Sequence, residues 1–156
     1  MTVSTDRDRK AVTAIQLDRG ELDDTLGFVV RGAWIQLDQL FNRFMARTGI
    51  TAQLYAIMIV IENNPGCRIS DLCRAVSVSP ANIVPALDTL LDRGLIFRDF
   101  SSRDRRTKRL SLTETGRSTL SELRRAHRPM TEELTARLGE RKLAKLIELL
   151  KELTGE

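Results

Sequence analysis

The segment formed by residues 79–116 constrains the fold of this chain more than any other part. It opens with a serine and a proline, which suit the position before a helix and the first helical turn respectively. Apolar residues then recur at helical spacing until Gly94 ends the helix. Residues 95–100 and 108–112 have the alternating character of two antiparallel strands. A helix, a short hairpin and a further helix in this order predict a wing beside a helix-turn-helix.

Two shorter helices are predicted before this segment. Thr51 caps a helix over residues 52–63, and the turn sequence NNPG ends it. Ser70 is expected to cap a third helix that runs to about Val76. A two-residue turn separates it from the fourth helix, residues 79–92. The third helix is therefore predicted to support the fourth, whose exposed N-terminal end is shaped to enter a DNA major groove.

Long amphipathic segments flank this central part. A long helix is predicted to begin at Asp23 and to stop at Gly49, with apolar residues on more than one face. The apolar faces of such a helix must be buried, and a partner chain is the natural element to bury them. A fifth helix, capped by Thr113, should be kinked or interrupted at Pro129. A last amphipathic helix is predicted over residues 140–154.

The predicted fold is mainly α with a small β-hairpin wing, that is, a winged helix-turn-helix within a helical homodimer. The 156 residues suit one domain or one that completes itself in a dimer. The predicted parts are an N-terminal tail (1–22) with a short helical piece at about 12–17, a dimerisation helix (23–50), the winged helix-turn-helix DNA-binding domain (51–113) and C-terminal dimerisation helices (114–156).

The net charge is concentrated at the predicted turn between the two strands. The chain has a formal charge of +4, and residues 101–109, SSRDRRTKR, contain five basic residues and one acidic residue. The remaining chain has equal numbers of acidic and basic residues. A basic loop on a neutral body is typical of contact with a polyanion. A charge run by itself is as often only a solvated face.

The predicted DNA contacts lie at the start of the fourth helix and in the basic loop. They are Ser79, Pro80, Ala81, Asn82, Pro85, Arg103, Asp104, Arg105, Arg106 and Lys108. Asn82 can donate to and accept from an adenine edge, and a loop arginine can reach the minor groove. Helix capping explains Ser79 and Asn82 equally well. Pro85 is either a tolerated defect or a shaped entry, and Asp104 either orients a loop arginine or forms an Asx-type turn.

The sequence disfavours several other classes of protein. It has no run of about 18 apolar residues and no signal-peptide core, so a cytoplasmic location is expected. His127, the only histidine, lies among charged residues and is expected to be a solvated helix residue outside any catalytic triad. There are two cysteines, no P-loop and no dinucleotide fingerprint. We therefore expect neither an enzyme nor a cofactor or metal site.

Over about residues 24–154 the chain resembles the MarR family of bacterial transcription regulators. The most specific stretch is LDTLLDRGLIFRDFSSRDRRTKRLSLTETG, residues 87–116, preceded by NNPGCRISDLCRAVSVSPANI. The resemblance implies a homodimer, built by the first and the last two helices, that reads a pseudo-palindromic site in double-stranded DNA. It also implies that Arg106 enters the minor groove and that Asp104 orients it. Pro85 departs from the family pattern, in which many relatives have a polar or basic residue.

The resemblance further implies a small-molecule effector, because relatives often respond to anionic aromatic compounds such as aromatic acids or their thioesters. LGFVVRGAW, residues 26–34, resembles a subgroup associated with aromatic-acid catabolism. The predicted effector-binding residues are Arg31, Trp34 and Phe41. Arg31 either pairs with a carboxylate or is a surface or dimer-interface arginine. Trp34 and Phe41 either line an apolar pocket or belong to the core or the dimer interface.

The sequence therefore predicts a sequence-specific, ligand-responsive DNA-binding regulator, a repressor in its commonest form. Two alternatives stay open. Cys67 and Cys73 would serve a thiol-based redox response if they were reactive, whereas two small, partly buried thiols would be inert. A winged helix used only for protein contacts would lack the salt-sensitive affinity of a DNA-binding domain.

Overall fold

The computed structural model describes residues 17–100 and 108–155. They belong to two compact units, one that ends at Trp34 and one that begins at Ile35. The helices are α1 (Leu26–Met45), α2 (Ala52–Asn63), α3 (Ile69–Ala75), α4 (Pro80–Asp92), α5 (Glu114–Leu138) and α6 (Glu140–Thr154), and the strands are β1 (Cys67–Arg68), β2 (Ile96–Phe100) and β3 (Lys108–Leu112). The predicted helical piece at 12–17 lies outside the described residues, apart from Leu17.

The first long helix is shorter than predicted at both ends. A 3-10 helix, Gly20–Asp24, precedes it, so the two aspartates at 23 and 24 lie before α1 and not in its first turn. The Thr25 carbonyl starts α1, accepting from the backbone N–H groups of Phe28 and Val29 at 3.0 Å. At the other end Thr48 closes a turn by donating its hydroxyl to the Met45 carbonyl at 2.8 Å. The predicted stop at Gly49 is therefore wrong, because this turn has already ended the helix at Met45.

Helix α2 lies at the centre of the core of the second unit. Its side chains Ile57, Met58 and Ile61 are fully buried. They belong to one apolar cluster with Leu72 of α3 and Leu87 of α4. Thr51 caps α2 as predicted, since its hydroxyl accepts from the Leu54 backbone N–H at 3.3 Å. The packing buries one side of α4 and leaves its opposite side at the surface.

The predicted hairpin is present, and it belongs to a sheet with a third strand that the sequence did not predict. The order is β1-β3-β2, and both pairings are antiparallel. Cys67 of β1 pairs with Leu110, and the Gly66 backbone N–H donates to the Leu110 carbonyl at 2.8 Å. Because β1 leads directly into α3, Arg68 occupies the N-cap position of that helix. The predicted cap at Ser70 is therefore wrong.

Helix α5 begins against the base of the wing. The Thr113 hydroxyl donates to the Gly94 carbonyl at 2.7 Å and accepts from the Gly116 backbone N–H at 2.9 Å. A Cβ on Gly116 would lie 1.9 Å from the Leu95 carbonyl oxygen, so only glycine fits there. Helix α5 continues through Pro129 as far as Leu138, so of the two predicted effects of this proline, a kink or an interruption, the interruption is wrong.

Helix α6 is amphipathic and buries none of its residues within the chain. Its apolar side chains Leu146, Ile147, Leu149, Leu150 and Leu153 are all exposed, Leu153 by 61%. Within the described residues, no helix combines the length and apolar character needed to cross a membrane. Residues 17–100 and 108–155 supply no cover for this apolar face, which is typical of a surface that another molecule or segment buries.

Candidate nucleic-acid interface

The turn between α3 and α4 sets the position of the fourth helix. The Val78 backbone N–H donates to the Cys73 carbonyl at 3.0 Å, and that of Ser77 donates to the Arg74 carbonyl at 3.3 Å. This pair of bonds is a Schellman motif, which requires a left-handed residue after the helix. Ser77 takes that conformation, with φ of 51°, and is the single non-glycine residue with positive φ in the part of the chain described. The predicted helix-turn-helix is confirmed.

Helix α4 divides into a buried face and an exposed face. Ile83, Ala86, Leu87 and Leu90 are buried in the core. The predicted contact residues Ser79, Pro80, Ala81, Asn82 and Pro85 are all exposed, as are Val84 and Asp88. Ala81, Val84, Pro85 and Asp88 share one face, because they lie three or four residues apart. The structure thus brings the five predicted helix residues to one end of a solvent-facing helix.

Ser79 occupies the N-cap position, but its side chain makes no capping hydrogen bond. Its backbone carbonyl accepts from the N–H groups of Asn82 and Ile83, each at 3.0 Å. Side-chain capping, one of the two sequence interpretations of Ser79, is therefore wrong. The extended backbone at Ser79 turns the chain into the helix, and Pro80 follows at a position where no N–H is needed.

Pro85 lies inside α4 without ending it, since the helix continues to Asp92. The Thr89 hydroxyl donates to the Pro85 carbonyl at 2.9 Å. Helix α4 then ends as predicted at Gly94, which has φ of +64°. The Leu95 N–H donates to the Leu90 carbonyl at 2.9 Å, which leads the chain directly into the wing.

An ion pair joins the exposed face of α4 to the wing. The guanidinium of Arg98 on β2 donates to the carboxylate of Asp88 at 3.0 Å. The Arg98 side chain is only 28% exposed, whereas that of Asp88 is 54% exposed. The pair fixes the first wing strand to the helix and balances the carboxylate charge on a face that would otherwise repel phosphate.

The tip of the wing lies outside the described residues. The predicted contacts Arg103, Asp104, Arg105 and Arg106, and with them the pairing predicted for Asp104, lie outside the described residues. Lys108 is the first residue of β3 and pairs with Phe100, the last residue of β2. The part of the basic segment that the structure describes, Lys108 and Arg109, begins β3.

The three predicted effector residues fall in different surroundings. Arg31 and Trp34 belong to the first unit and are exposed, Trp34 by 61%. Phe41 belongs to the second unit and is buried in its core, with 4% exposure. Its ring centroid lies 5.9 Å from that of Tyr55 and 6.0 Å from that of His127.

His127 is not the solvated residue that its charged neighbours suggested. It is half-buried and stacks on Tyr55, with ring centroids 5.3 Å apart. Burial lowers the pKa of His127. Burial also raises the pKa of Tyr55, an effect that the nearby Arg124 partly offsets. Helical spacing could have revealed the partial burial of His127, because Leu120, Leu123 and Met130 lie on the same buried side of α5.

Both cysteines are free thiols. Burial raises the pKa of Cys67, which lowers its thiolate fraction. Cys73 is buried in α3. Cys67 borders an open cavity of about 370 Å³ with Asn64, Asp71 and Leu72. Among the described residues, no group of three histidine, cysteine or acidic side chains is placed to hold a metal ion.

Three residues of the interface, Val84, Asp88 and Arg98, were absent from the sequence prediction. The exposure of Val84 could have been predicted from its spacing, since it lies three residues after Ala81 on the side opposite the buried stripe. Arg98 has no local signal, because its role depends on the approach of β2 to α4. None of the three belongs to the basic segment from which the DNA prediction began.

This arrangement defines the class of the protein as a winged helix-turn-helix. A model of the MarR family matches residues 50–108. A protein of Thauera aromatica, named as a transcriptional regulatory protein for the hcr operon, is 36% identical over 139 residues, which are 88% of this chain and 84% of that protein. The chain belongs to the MarR family of transcription regulators. This assignment confirms the predicted fold class and places the protein among regulators and not among enzymes.

Solved structures of the repressor CouR have the same fold. CouR bound to a 23-mer DNA duplex matches with a TM-score of 0.85 and 28% identity, covering 89% of this chain and 99% of that one. CouR bound to p-coumaroyl-CoA matches with a TM-score of 0.83 and 27% identity, covering 90% and 99% respectively.

Proposed function

We propose that the protein is a cytoplasmic, homodimeric repressor that binds a pseudo-palindromic site in double-stranded DNA and is released by an aromatic acid or its thioester. The observation that carries the proposal is the exposed start of α4, residues 79–85, on a helix that an ion pair joins to the first wing strand. In the sequence, the basic segment connects that strand to β3. An uncharged helix start is suited to base contact, and a basic wing is suited to phosphate or minor-groove contact.

The similarity to CouR bound to a DNA duplex supports this assignment. Helix α4 enters the major groove with Asn82 at a base edge, and the backbone amides at its start hold a phosphate. The wing residues Arg103, Arg105, Arg106 and Lys108 supply the positive charge, with Arg106 in the minor groove and Asp104 orienting it.

Dimerisation is supported by the apolar surface that the chain leaves exposed. On α6 this surface includes Leu146, Ile147 and Leu150. On α1 it includes Val29 and Trp34 in the first unit. Burial of such faces between two copies is the usual solution for helices of this kind, and it places two α4 helices about one DNA turn apart.

The effector class is supported by the similarity to CouR bound to p-coumaroyl-CoA. Arg31 is proposed to bind an anionic group, and Trp34 offers an exposed aromatic surface. Phe41 is proposed to act through the buried ring cluster that it forms with Tyr55 and His127. The effector must bind the DNA-incompetent form more tightly, by about 1–3 kcal/mol.

The test is fluorescence anisotropy with the duplex upstream of the gene for this protein, across a salt series. We expect tight binding that resists competitor DNA and weakens steeply with salt. Arg106→Ala should weaken it and leave the dimer intact. Arg128→Ala, which removes an equal charge from an exposed site on α5, is the matched control. Equal affinity for wild type and Arg106→Ala, or no binding at low salt, would contradict the proposal.

The same complex tests the effector. We expect p-coumaroyl-CoA or another aromatic thioester, or the corresponding free acid, to release the duplex, whereas coenzyme A alone leaves it bound. Sedimentation of the free protein provides the third readout. A monomer at micromolar concentration would refute the dimer, and failure of every aromatic acid and thioester would refute the effector class.

A further inference from the structure

The exposed face of helix α4 is apolar and carries no basic residue. Ala81, Val84 and Pro85 are exposed at spacings of three and four residues, and Val84 is 45% exposed. The whole helix, PANIVPALDTLLD, contains no lysine or arginine. Of its two exposed carboxylates, Asp88 is paired with Arg98, and Asp92 is the last residue of the helix, two turns after Pro85. Methyl and ring carbons are therefore what this face offers to a DNA groove.

These side chains have one natural partner among the base edges of the major groove. Guanine is read there chiefly by arginine or lysine, which α4 lacks. Thymine presents a C5-methyl group, the single apolar feature of the major groove, and alanine-like side chains contact it. Asn82, exposed one residue after Ala81, suits the adenine of an A·T pair.

We propose that Ala81, Val84 and Pro85 form a thymine-reading surface that determines which operator the protein selects. The inference rests on the proposed function, because it assumes that α4 enters the major groove. It gives Pro85 a role that neither sequence interpretation included, since its ring extends the apolar face by one turn beyond Ala81. It also assigns Val84, which the sequence prediction omitted, as the centre of that surface.

The experiment begins with selection of binding sites from a random double-stranded DNA library by the full chain. We expect half-sites with adenine and thymine where α4 reads the major groove. Thymine is then replaced by deoxyuridine at those positions, which removes only the C5-methyl group. Affinity should fall about fourfold for each buried methyl, as expected for one buried carbon. The same positions are also filled with cytosine or with 5-methylcytosine, which differ only in the C5-methyl group. The duplex with 5-methylcytosine should bind more tightly than the duplex with cytosine.

The variant Val84→Ala identifies the surface that reads the methyl group. It should bind the thymine duplex more weakly than wild type does, and it should lose most of the discrimination against deoxyuridine. Val84→Thr keeps the shape and replaces one methyl by a hydroxyl, so it controls for misfolding. The control substitution Gln53→Ala, at an exposed position of α2 that belongs to neither proposed surface, should leave the discrimination unchanged.

The outcomes separate the inference from the proposed function. Specific binding with guanine selected opposite α4, or equal affinity for thymine and deoxyuridine duplexes, would overturn the thymine-reading surface and leave a DNA-binding regulator. If wild type and Val84→Ala discriminated equally between the thymine and deoxyuridine duplexes, the thymine-reading surface would also be overturned. Failure to select any sequence from the library would overturn both.

Discussion

The imidazole ring of His127 on α5 stacks on the phenol ring of Tyr55 on α2, with the two planes inclined by 27°. Phe41 closes the cluster from α1. The pair joins the helix that leads to the C-terminal part of the chain to the helix at the centre of the core. Arg124, one turn before His127 on α5, donates to Glu62 near the end of α2, so a charged contact reinforces the stacked rings.

The stability of the protein should fall on mild acidification because of His127. Burial lowers its pKa in the folded state below the unfolded value, so the unfolded chain binds the proton more readily. The stabilisation is complete above the unfolded pKa, about 6.5, and is lost as the pH falls through that value towards the folded pKa. Urea unfolding at about pH 7.5 and about pH 5.5 measures the loss.

His127→Phe keeps an aromatic ring and removes the titration. Because the chain has no other histidine, this variant should lose the part of the pH dependence centred near neutrality. Carboxylates titrate at lower pH and remain in both proteins, so they serve as an internal control. An identical slope for the two proteins between these pH values would contradict the assignment.

Arg98→Ala should weaken DNA binding more than it weakens the fold. The Arg98–Asp88 pair is partly exposed, so its loss should cost only about 0.5–1 kcal/mol of stability. Without it, β2 is no longer tied to α4 and a carboxylate on the DNA-facing side is left unbalanced. We expect affinity for the operator to fall about threefold to tenfold, the effect of a contact worth about 1 kcal/mol.

The control for Arg98→Ala is Arg128→Ala, which breaks an exposed pair with Glu132 on α5 and removes the same charge. Anisotropy at one salt concentration compares the two variants. Equal affinities would show that Arg98 contributes only through the net charge of the protein.

Ser77→Gly should stabilise the protein. Ser77 has φ of 51°, a conformation that costs an L-residue about 1 kcal/mol and costs glycine nothing. We expect a rise in Tm of about 2–4 °C at constant protein concentration, as measured by thermal unfolding. Ser118→Gly, at an exposed position inside α5, should instead lower the Tm, because glycine weakens a helix interior. A Tm unchanged or lowered by Ser77→Gly would show that this turn is not strained.

Gly116→Ala should be among the most damaging substitutions in the chain. Its Cβ would lie 1.9 Å from the Leu95 carbonyl oxygen, so α5 or the start of β2 must move. We expect a loss of at least about 1–3 kcal/mol in the free energy of unfolding, measured with urea. The neighbouring Thr115→Ala, at an exposed position, should change it by less than about 0.5 kcal/mol. Similar stability for the two variants would contradict the close contact.

The parts of the fold that depend on local signals were predictable. Thr51, Thr113 and Gly94 mark helix ends through their own side chains or backbone preferences, and the structure confirms all three. The two long strands of the wing were predictable from their alternation. Strand β1 was not, because its two residues form a strand only through pairing with β3.

In the candidate site, too, features set by local sequence were predictable and contacts between distant elements were not. The exposure of Ala81 and Pro85 follows from the buried stripe on the other side of α4. The Asp88–Arg98 pair depends on how β2 approaches that helix, which no local pattern encodes. The surroundings of His127 lay between these cases, since its spacing from Leu123 indicated burial while its charged neighbours suggested solvent.

The contact between Gly116 and Leu95 has a mechanical consequence. Elsewhere in the core, side chains separate neighbouring elements, and their rotamers can take up small displacements. Here the backbone of α5 meets the backbone that leads into β2, and the Thr113 hydroxyl contacts the carbonyls of both Gly94 and Leu95. A tilt of α5 should therefore displace the first wing strand directly, so this backbone contact couples the C-terminal helices to the wing.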